Sequence, residues 1–467
     1  MPILSAYMVP HPPMIIPEVG KGSEAQIEET TRAYRQIAQE IAAQRPQTII
    51  ISSPHSIMYA DYFHISPGRG AKGSFAAFRA RSVSFTETYD TELVRAICEQ
   101  AGKRELPAGT LGERDASLDH GTMVPLYFLE EAYRLAGIPK DYQIVRIGLS
   151  GLPLTRHYEL GMAIQEAVRQ TGRRAVYIAS GDLSHKLQNY GPYGYAPEGP
   201  EYDERIMDVC GRAAFSELFS FDETFCDKAA ECGHRSFVIM AGALDGISVR
   251  AEKLSHQDVT GVGYGICIFR PGQEDESRHF LTQYLQEQEQ ALAARRGQED
   301  ALVRLARQTV EHYVREGSSI TAPDWVTEEM KTGRAGVFVS LHEHGRLRGC
   351  IGTIQPVRSC IADEIIHNAV SAATEDPRFD PVRPEELKYL DISVDVLTKP
   401  EKINGPEDLD VKRYGIIVSC GRRRGLLLPD LDGVDTVEEQ IAIARRKGGI
   451  SEREPVVLER FEVIRHH

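Results

Sequence analysis

The chain has 467 residues, 42% of them hydrophobic and 26% charged, and carries a net charge of −14. Composition of this kind suits a globular protein of two to four domains, and the acidic balance argues against a nucleic-acid partner. The first residues lead straight into a strand with no basic stretch or long apolar run, so neither a signal peptide nor a membrane span is expected, and eight cysteines without clustered spacing do not make a disulfide framework. Reduced thiols and a cytoplasmic location are the resulting expectation.

Ile3 to Val9 reads as a strand, and Pro10-His11-Pro12-Pro13 follows at once. Ser23 to Arg45 has helical spacing of Ile27, Tyr34, Ile37 and Ile41, and Pro46 ends it. Thr48-Ile49-Ile50-Ile51 is an uncharged β-favouring run that suits a strand buried on both faces; Ser52, Ser53 and Pro54 stop it, and His55 comes next. Two buried strands thus each end in a proline-held histidine, at the edge where open α/β sheets bind their ligands. The pattern predicts that His11 and His55 converge on one metal ion.

Gly68 to Gly73 reads as a mobile surface loop, Ser82 to Phe85 as a strand and Thr91 to Ala101 as a helix. Leu118 to Leu126 puts His120 in a polar turn before a helix. Tyr142 to Ile147 is a predicted strand, Leu154 to Arg169 a helix, and Arg174 to Ser180 a buried strand that runs into Gly181-Asp182-Leu183-Ser184-His185. Helices follow at Glu201 to Phe219, Asp222 to Ala230 and Ser236 to Leu244, the last opened by Glu231-Cys232-Gly233-His234, and Ser248 to Leu254 and Gly261 to Phe269 are closing strands. Alternating strands and helices predict an α/β domain over residues 1–272, with a mainly parallel central sheet and helices on both faces.

Residues 273–294, rich in Gln and Glu, read as a helical linker, and 295–467 as a smaller α+β domain. Its predicted elements are a helix at Ala301 to Arg315, a strand at Val337 to Leu341, a turn at 342–345, helices at Ser359 to Thr374 and Val437 to Lys447, a strand at Leu390 to Leu397, and a hairpin of Ile416 to Ser419 with Gly425 to Leu428.

Two imidazoles and one carboxylate on one side of an ion leave positions open opposite, the arrangement of non-haem Fe(II). By charge type Glu231 supplies the carboxylate. Cys232 competes, because a thiolate favours zinc or copper. An imidazole at strand-end position 185 can take a proton near neutral pH, with Asp182 to orient it, and His120 can donate a hydrogen bond to bound oxygen. His64, His157, His256 and His279 lack such settings and read as surface or structural residues.

The motifs VPHPPMIIPEVG, SSPHS, DHGTMVPL and SGDLSH resemble, over roughly residues 1–270, the LigB-like class III extradiol ring-opening dioxygenases and their Memo relatives. The resemblance implies Fe(II) held by His11, His55 and a downstream carboxylate, His185 as acid and base, and a catechol-like aromatic and O₂ as substrates. ECGHRSFVIMAGAL aligns its glutamate with the dioxygenase ligand or its cysteine with a Memo-type position, which leaves zinc or copper, and a metal- or redox-binding adaptor, as the alternative. LRGCIGT, EDPRF, ISVDVL and RGLLLPDL over roughly 295–467 resemble the AMMECR-one domain. A fused pair of this kind resembles the AmmeMemoRadiSam system, which implies a radical SAM enzyme as partner; a homodimer is left open. In the second domain Arg348 and Cys350 flank a glycine, and Cys350 reads as a small buried hydrophobe rather than a nucleophile, since Arg348 is the sole local reason for a lowered thiol pKa. Glu375-Asp376 reads as a solvated turn.

Overall fold

The computed structural model describes residues 3–343, 345–431 and 433–467; His344, in the predicted turn at 342–345, lies outside them. The chain divides into two compact units, Met1–Leu285 and Gln286–His467. The first is built on a six-stranded sheet. Its strands in chain order are β1 (Ile3–Val9), β2 (Thr48–Ser53), β3 (Gln143–Gly148), β4 (Ala175–Ser180), β5 (Ile247–Gln257) and β6 (Tyr264–Glu274). In space the order is β3-β2-β4-β1-β6-β5. The first four are parallel, and β6 and β5 add an antiparallel edge.

The apolar runs of the parallel strands are continuous because both faces are covered. Ile50, Tyr177, Ala6 and Met8 point into one core, with Leu93, Ile97, Leu160, Ile164, Ile206 and Phe237 from the helices. Ile49, Ile51, Val176, Ile178, Tyr7 and Val9 point into the other, with Tyr34, Ile37, Ile41, Leu126 and Leu129. The helices are α1 (Glu28–Gln44), α2 (Thr91–Lys103), α3 (His120–Leu135), α4 (Leu154–Thr171), α5 (Glu198–Arg212) and α6 (His234–Gly242). α1 and α3 cover the second core; α2, α4, α5 and α6 cover the first. This is the α/β architecture that the alternation of elements predicts.

Three local readings change. Gly70–Phe75 is not a mobile loop but pairs antiparallel with Ala80–Thr88, a strand longer than expected. The start of the helix expected from Ser23 is a 3₁₀ turn, Ser23–Ile27. The helix expected to run to Phe219 stops at Arg212, where Ala213 takes a left-handed conformation, φ 51°, and a 3₁₀ segment Phe215–Ser220 follows. The polar segment after β6 is a helix, Phe280–Arg296, that crosses the division between the two units.

The second unit holds α7 (Ala301–Glu316), β7 (Val337–Glu343), β8 (Arg346–Gly352), α8 (Ile361–Thr374), β9 (Leu390–Leu397), β10 (Tyr414–Cys420), β11 (Arg423–Leu427), α9 (Val437–Lys447) and β12 (Val457–His466). Its sheet runs β8-β7-β9-β12-β10-β11, every pair antiparallel, and Glu401–Lys402 pairs beside β12. Val337, Val339, Leu341, Ile392 and Val394 face a core shared with α7 and α8. This is a smaller α+β domain. Among the described residues no helix is long and apolar enough to cross a membrane, and all eight cysteines are free.

Candidate metal centre

His11 leaves the end of β1 beside the end of β4. The Gly181 N–H donates to the Val9 carbonyl (2.9 Å), the His11 N–H donates to Asp182 Oδ1 (2.7 Å), and the Tyr34 hydroxyl donates to the Pro10 carbonyl. The turn after β4 in turn meets the turn before α6. A Cβ on Gly181 would lie 2.1 Å from the Gly233 Cα, so the two backbones touch where neither residue carries a side chain. That contact seats Cys232 next to Asp182. The Asp182 N–H donates to Cys232 Sγ (3.3 Å), and the Cys232 N–H to the Asp182 carbonyl (3.4 Å). His55 follows the end of β2, its N–H donating to Ser53 Oγ (3.2 Å).

The three side chains meet. His55 Nε2 lies 3.0 Å from His11 Nε2, and Cys232 Sγ lies 3.6 Å from the same nitrogen. The donor atoms of His11, His55 and Cys232 all fall within 4.8 Å of one another, the one such grouping among the described residues. Separations of 3.0 and 3.6 Å are of the size found between two donors on one ion, so His11, His55 and Cys232 are the residues that would hold it. His11 is buried, Cys232 half-buried and His55 exposed, so the group is reached from one side.

Glu231 is turned elsewhere. Its Oε2 accepts the N–H of His234 (2.6 Å) at the start of α6, and it is not in the donor group. A carboxylate there answers the unpaired N–H groups of the helix end. The neighbouring His234 is structural: its Nε2 meets the Leu218 carbonyl (3.0 Å) and its Nδ1 the Tyr202 hydroxyl (3.3 Å).

His120 is the first residue of α3 rather than a turn residue ahead of it. Its ring centroid stands 4.0 Å from that of His55 and 5.4 Å from that of His11, with Phe78 at 5.4 Å on its other side. His185 lies past β4, its ring edge against Tyr193 at 5.2 Å. Its Nδ1 is buried with no hydrogen-bond partner among the described residues. Asp182 does not orient His185 by a hydrogen bond; its carboxylate is spent on the His11 N–H, with Oδ2 3.9 Å from His11 Nε2.

Burial holds the His11 imidazole well below its ordinary pKa, with the neighbouring His55 adding to it. Burial also lowers His55, and pushes His120 down to about 3 with His55 and His11 next in weight. All three rings are therefore neutral at pH 7, the form that donates a lone pair. Burial raises Asp182 to about 6 and Glu231 to about 7. The Cys232 thiol is pushed well up, by burial first and then by the Asp182 and Glu231 carboxylates. A cation at the centre of the group reverses that last effect.

Sequence reasoning missed the residues behind the group. Ser180 and Ser53 are serines at strand ends, and their roles depend on which turn packs over them. Of the four histidines read as surface or structural, His64 and His157 are buried, and His256 and His279 pair with Asp203 and Asp245, each at 2.7 Å. In the second domain Arg348 pairs with Glu386 (2.7 Å), away from Cys350. Burial raises the Cys350 thiol, which agrees with an unreactive half-buried cysteine. Asp376 is more than a solvated turn residue: it accepts the Cys350 N–H (2.9 Å) and pairs with Arg378 (2.7 Å).

Residues 5–267 match the family described as the catalytic LigB subunit of aromatic ring-opening dioxygenase. The chain is a LigB-family protein. Residues 303–466 of this LigB-family chain match the AMMECR1 family. A Clostridium acetobutylicum protein is 42% identical over 468 residues, covering 98% of each chain, so the fused arrangement recurs there. A Thermotoga maritima protein is 50% identical over 170 residues, 36% of this chain and 98% of its own length. Among solved structures, an uncharacterised Pyrococcus horikoshii protein matches at 34% identity and TM-score 0.33 over 35% of this chain and 88% of its own. An uncharacterised Escherichia coli K12 protein matches at 17% identity and TM-score 0.37, over 57% of this chain and 99% of its own.

Proposed function

We propose that the LigB domain is a metal-dependent enzyme in which His11, His55 and Cys232 hold one zinc or copper(I) ion and His185 handles a proton at its open side. The observation that carries this reading is the choice between two adjacent donors: Cys232 Sγ stands 3.6 Å from His11 Nε2, while the Glu231 carboxylate is occupied by the His234 N–H. Two imidazoles and a thiolate are a borderline-to-soft set, which favours zinc or copper(I) over iron(II). Three protein donors leave a fourth position free, as in catalytic rather than structural sites. A bound ion supplies Lewis acidity to a substrate hydroxyl. The chain's own part is to take the proton. His185, with its buried Nδ1 unengaged, is the base, and Phe78 and Tyr193, edge-on to His120 and His185, supply the neighbouring aromatic surface.

A second reading is the iron(II)-dependent extradiol dioxygenase acting on a catechol-like aromatic and O₂. The extra histidines favour it: His120, its ring 4.0 Å from that of His55, supplies a hydrogen-bond donor, and His185 supplies a base. It requires Glu231 to leave the start of α6 and turn inward.

Metal analysis of anaerobically purified protein, loaded in turn with zinc, copper(I) and iron(II), separates the two. The wild type is expected to hold one ion per chain. Cys232→Ser is expected to weaken zinc and copper(I) binding by more than about tenfold, and Glu231→Gln to leave it unchanged. Binding lost in the glutamine variant and kept in the serine variant transfers the case to iron; no ion in the wild type ends both readings.

A further inference from the structure

His11 and His55 come from different strands, yet both hang from one turn of chain. His11 Nδ1 meets Ser180 Oγ at 3.0 Å, and the Ser180 hydroxyl donates to the Gly121 carbonyl at 2.7 Å. On the other side the His55 N–H donates to Ser53 Oγ at 3.2 Å, and the Ser53 hydroxyl donates to Asp119 Oδ1 at 2.6 Å. Asp119 and Gly121 flank His120 in the first turn of α3. Two serine hydroxyls therefore link this turn to the two histidines.

Each hydroxyl has one proton, and that fixes the direction of both links. Ser180 gives its proton to Gly121, so it can only accept from His11. The ring must then carry its proton on Nδ1, which leaves a lone pair on Nε2, the nitrogen that faces His55 and Cys232. Ser53 gives its proton to Asp119 and accepts from the His55 backbone, which sets where the chain turns after β2.

The turn is itself held in place. Asp119 Oδ1 accepts the Thr122 N–H (3.0 Å) and Oδ2 the Thr122 hydroxyl (2.9 Å). The buried Arg146 guanidinium stands 3.9 Å from Oδ2. Gly121 has no room for a side chain: a Cβ would lie 2.4 Å from Ser53 Oγ and 3.1 Å from Asp119 Oδ1.

We propose that the Asp119–Gly121 turn is the positioning element of the centre, setting the tautomer of His11 through Ser180 and the placement of His55 through Ser53. Ser180, Ser53 and Asp119 are positioning residues; none reaches the donor group. The inference rests on the reading of His11, His55 and Cys232 as one site, and partners of this kind typically change metal affinity about 10–100-fold when removed.

Two measurements on the full-length chain test it. In the metal-free protein labelled with ¹⁵N-histidine, long-range proton–nitrogen spectra at pH 7 are expected to show His11 with its proton on Nδ1, and Ser180→Ala to move it to Nε2. In a cobalt(II) titration the wild type is expected to develop a thiolate-to-cobalt absorption band; Ser180→Ala and Ser53→Ala should each bind cobalt on the order of tenfold or more weakly while the far-ultraviolet dichroism stays that of the wild type. A wild-type His11 with its proton on Nε2 overturns the proposal with no variant needed, and so does wild-type cobalt affinity in both folded variants. A wild type without the thiolate band defeats the three-donor reading separately, and the His11 tautomer still decides this one.

Discussion

Glu231 and Cys232 are neighbours with opposite tasks, and the division follows from which backbone each one faces. The glutamate meets the open N–H groups of α6, and the thiol meets the turn after β4. Sequence alone left the pair undecided because both are donors and both precede the same helix. His11 and His55 were legible because prolines pin them to strand ends. A pH effect belongs at this scale too. The Asp245 carboxylate, hydrogen-bonded at 2.7 Å, raises the His279 pKa above its ordinary value, with Glu276 adding to it. The folded state thus binds the His279 proton more tightly than the unfolded chain does. That stability is fully present below about pH 6.5 and is lost as pH rises through the raised value. Because the ring is 42% exposed, solvent weakens the pair. Going from pH 6 to pH 8, the melting temperature of the wild type is expected to fall by about 1–2 °C more than that of His279→Gln, read by differential scanning calorimetry.

Helices α4 and α6 cross with almost no side chain between them. A Cβ on Gly161 would lie 2.1 Å from the Ile239 carbonyl oxygen, and one on Gly242 would lie 2.1 Å from that of Tyr158. Neither oxygen can move without breaking a helix. Gly242→Ala is therefore expected to destabilise the domain by about 1–3 kcal/mol in urea denaturation, and to loosen metal binding because α6 carries Cys232 just ahead of its first residue. Elements with a strong pattern were readable: Thr48–Ser53 from the unbroken β-branched run of its first four residues, and Leu390–Leu397 from alternation of core and outer residues. The pairing of Gly70–Phe75 with Ala80–Thr88 was not, since two glycines in six residues imitate a loop and the partner strand supplies the order. His64, read as surface or structural, is structural, and its burial was not legible for a similar reason. Its short strand, Phe63–His64, is buried by pairing with Ala108–Gly109, a contact that no local window contains.

The two units have separate cores, one pair of layers around the parallel sheet and another set around the antiparallel one. A fragment ending at residue 285 is expected to fold alone and to bind the same number of ions per chain as the full protein, measured by elemental analysis after gel filtration. The metal donors also bear on how the first unit is assembled. His11 and Cys232 stand 221 positions apart in the chain. A ribosome releases the imidazole long before the thiol, so an ion captured early has only part of its cage. On the proposed three-donor reading, the closed cage would clasp the end of the first strand to the turn ahead of α6. Scavenging the ion would then shorten the lifetime of the folded domain, and adding it back would lengthen that lifetime in proportion to how tightly the clasp holds.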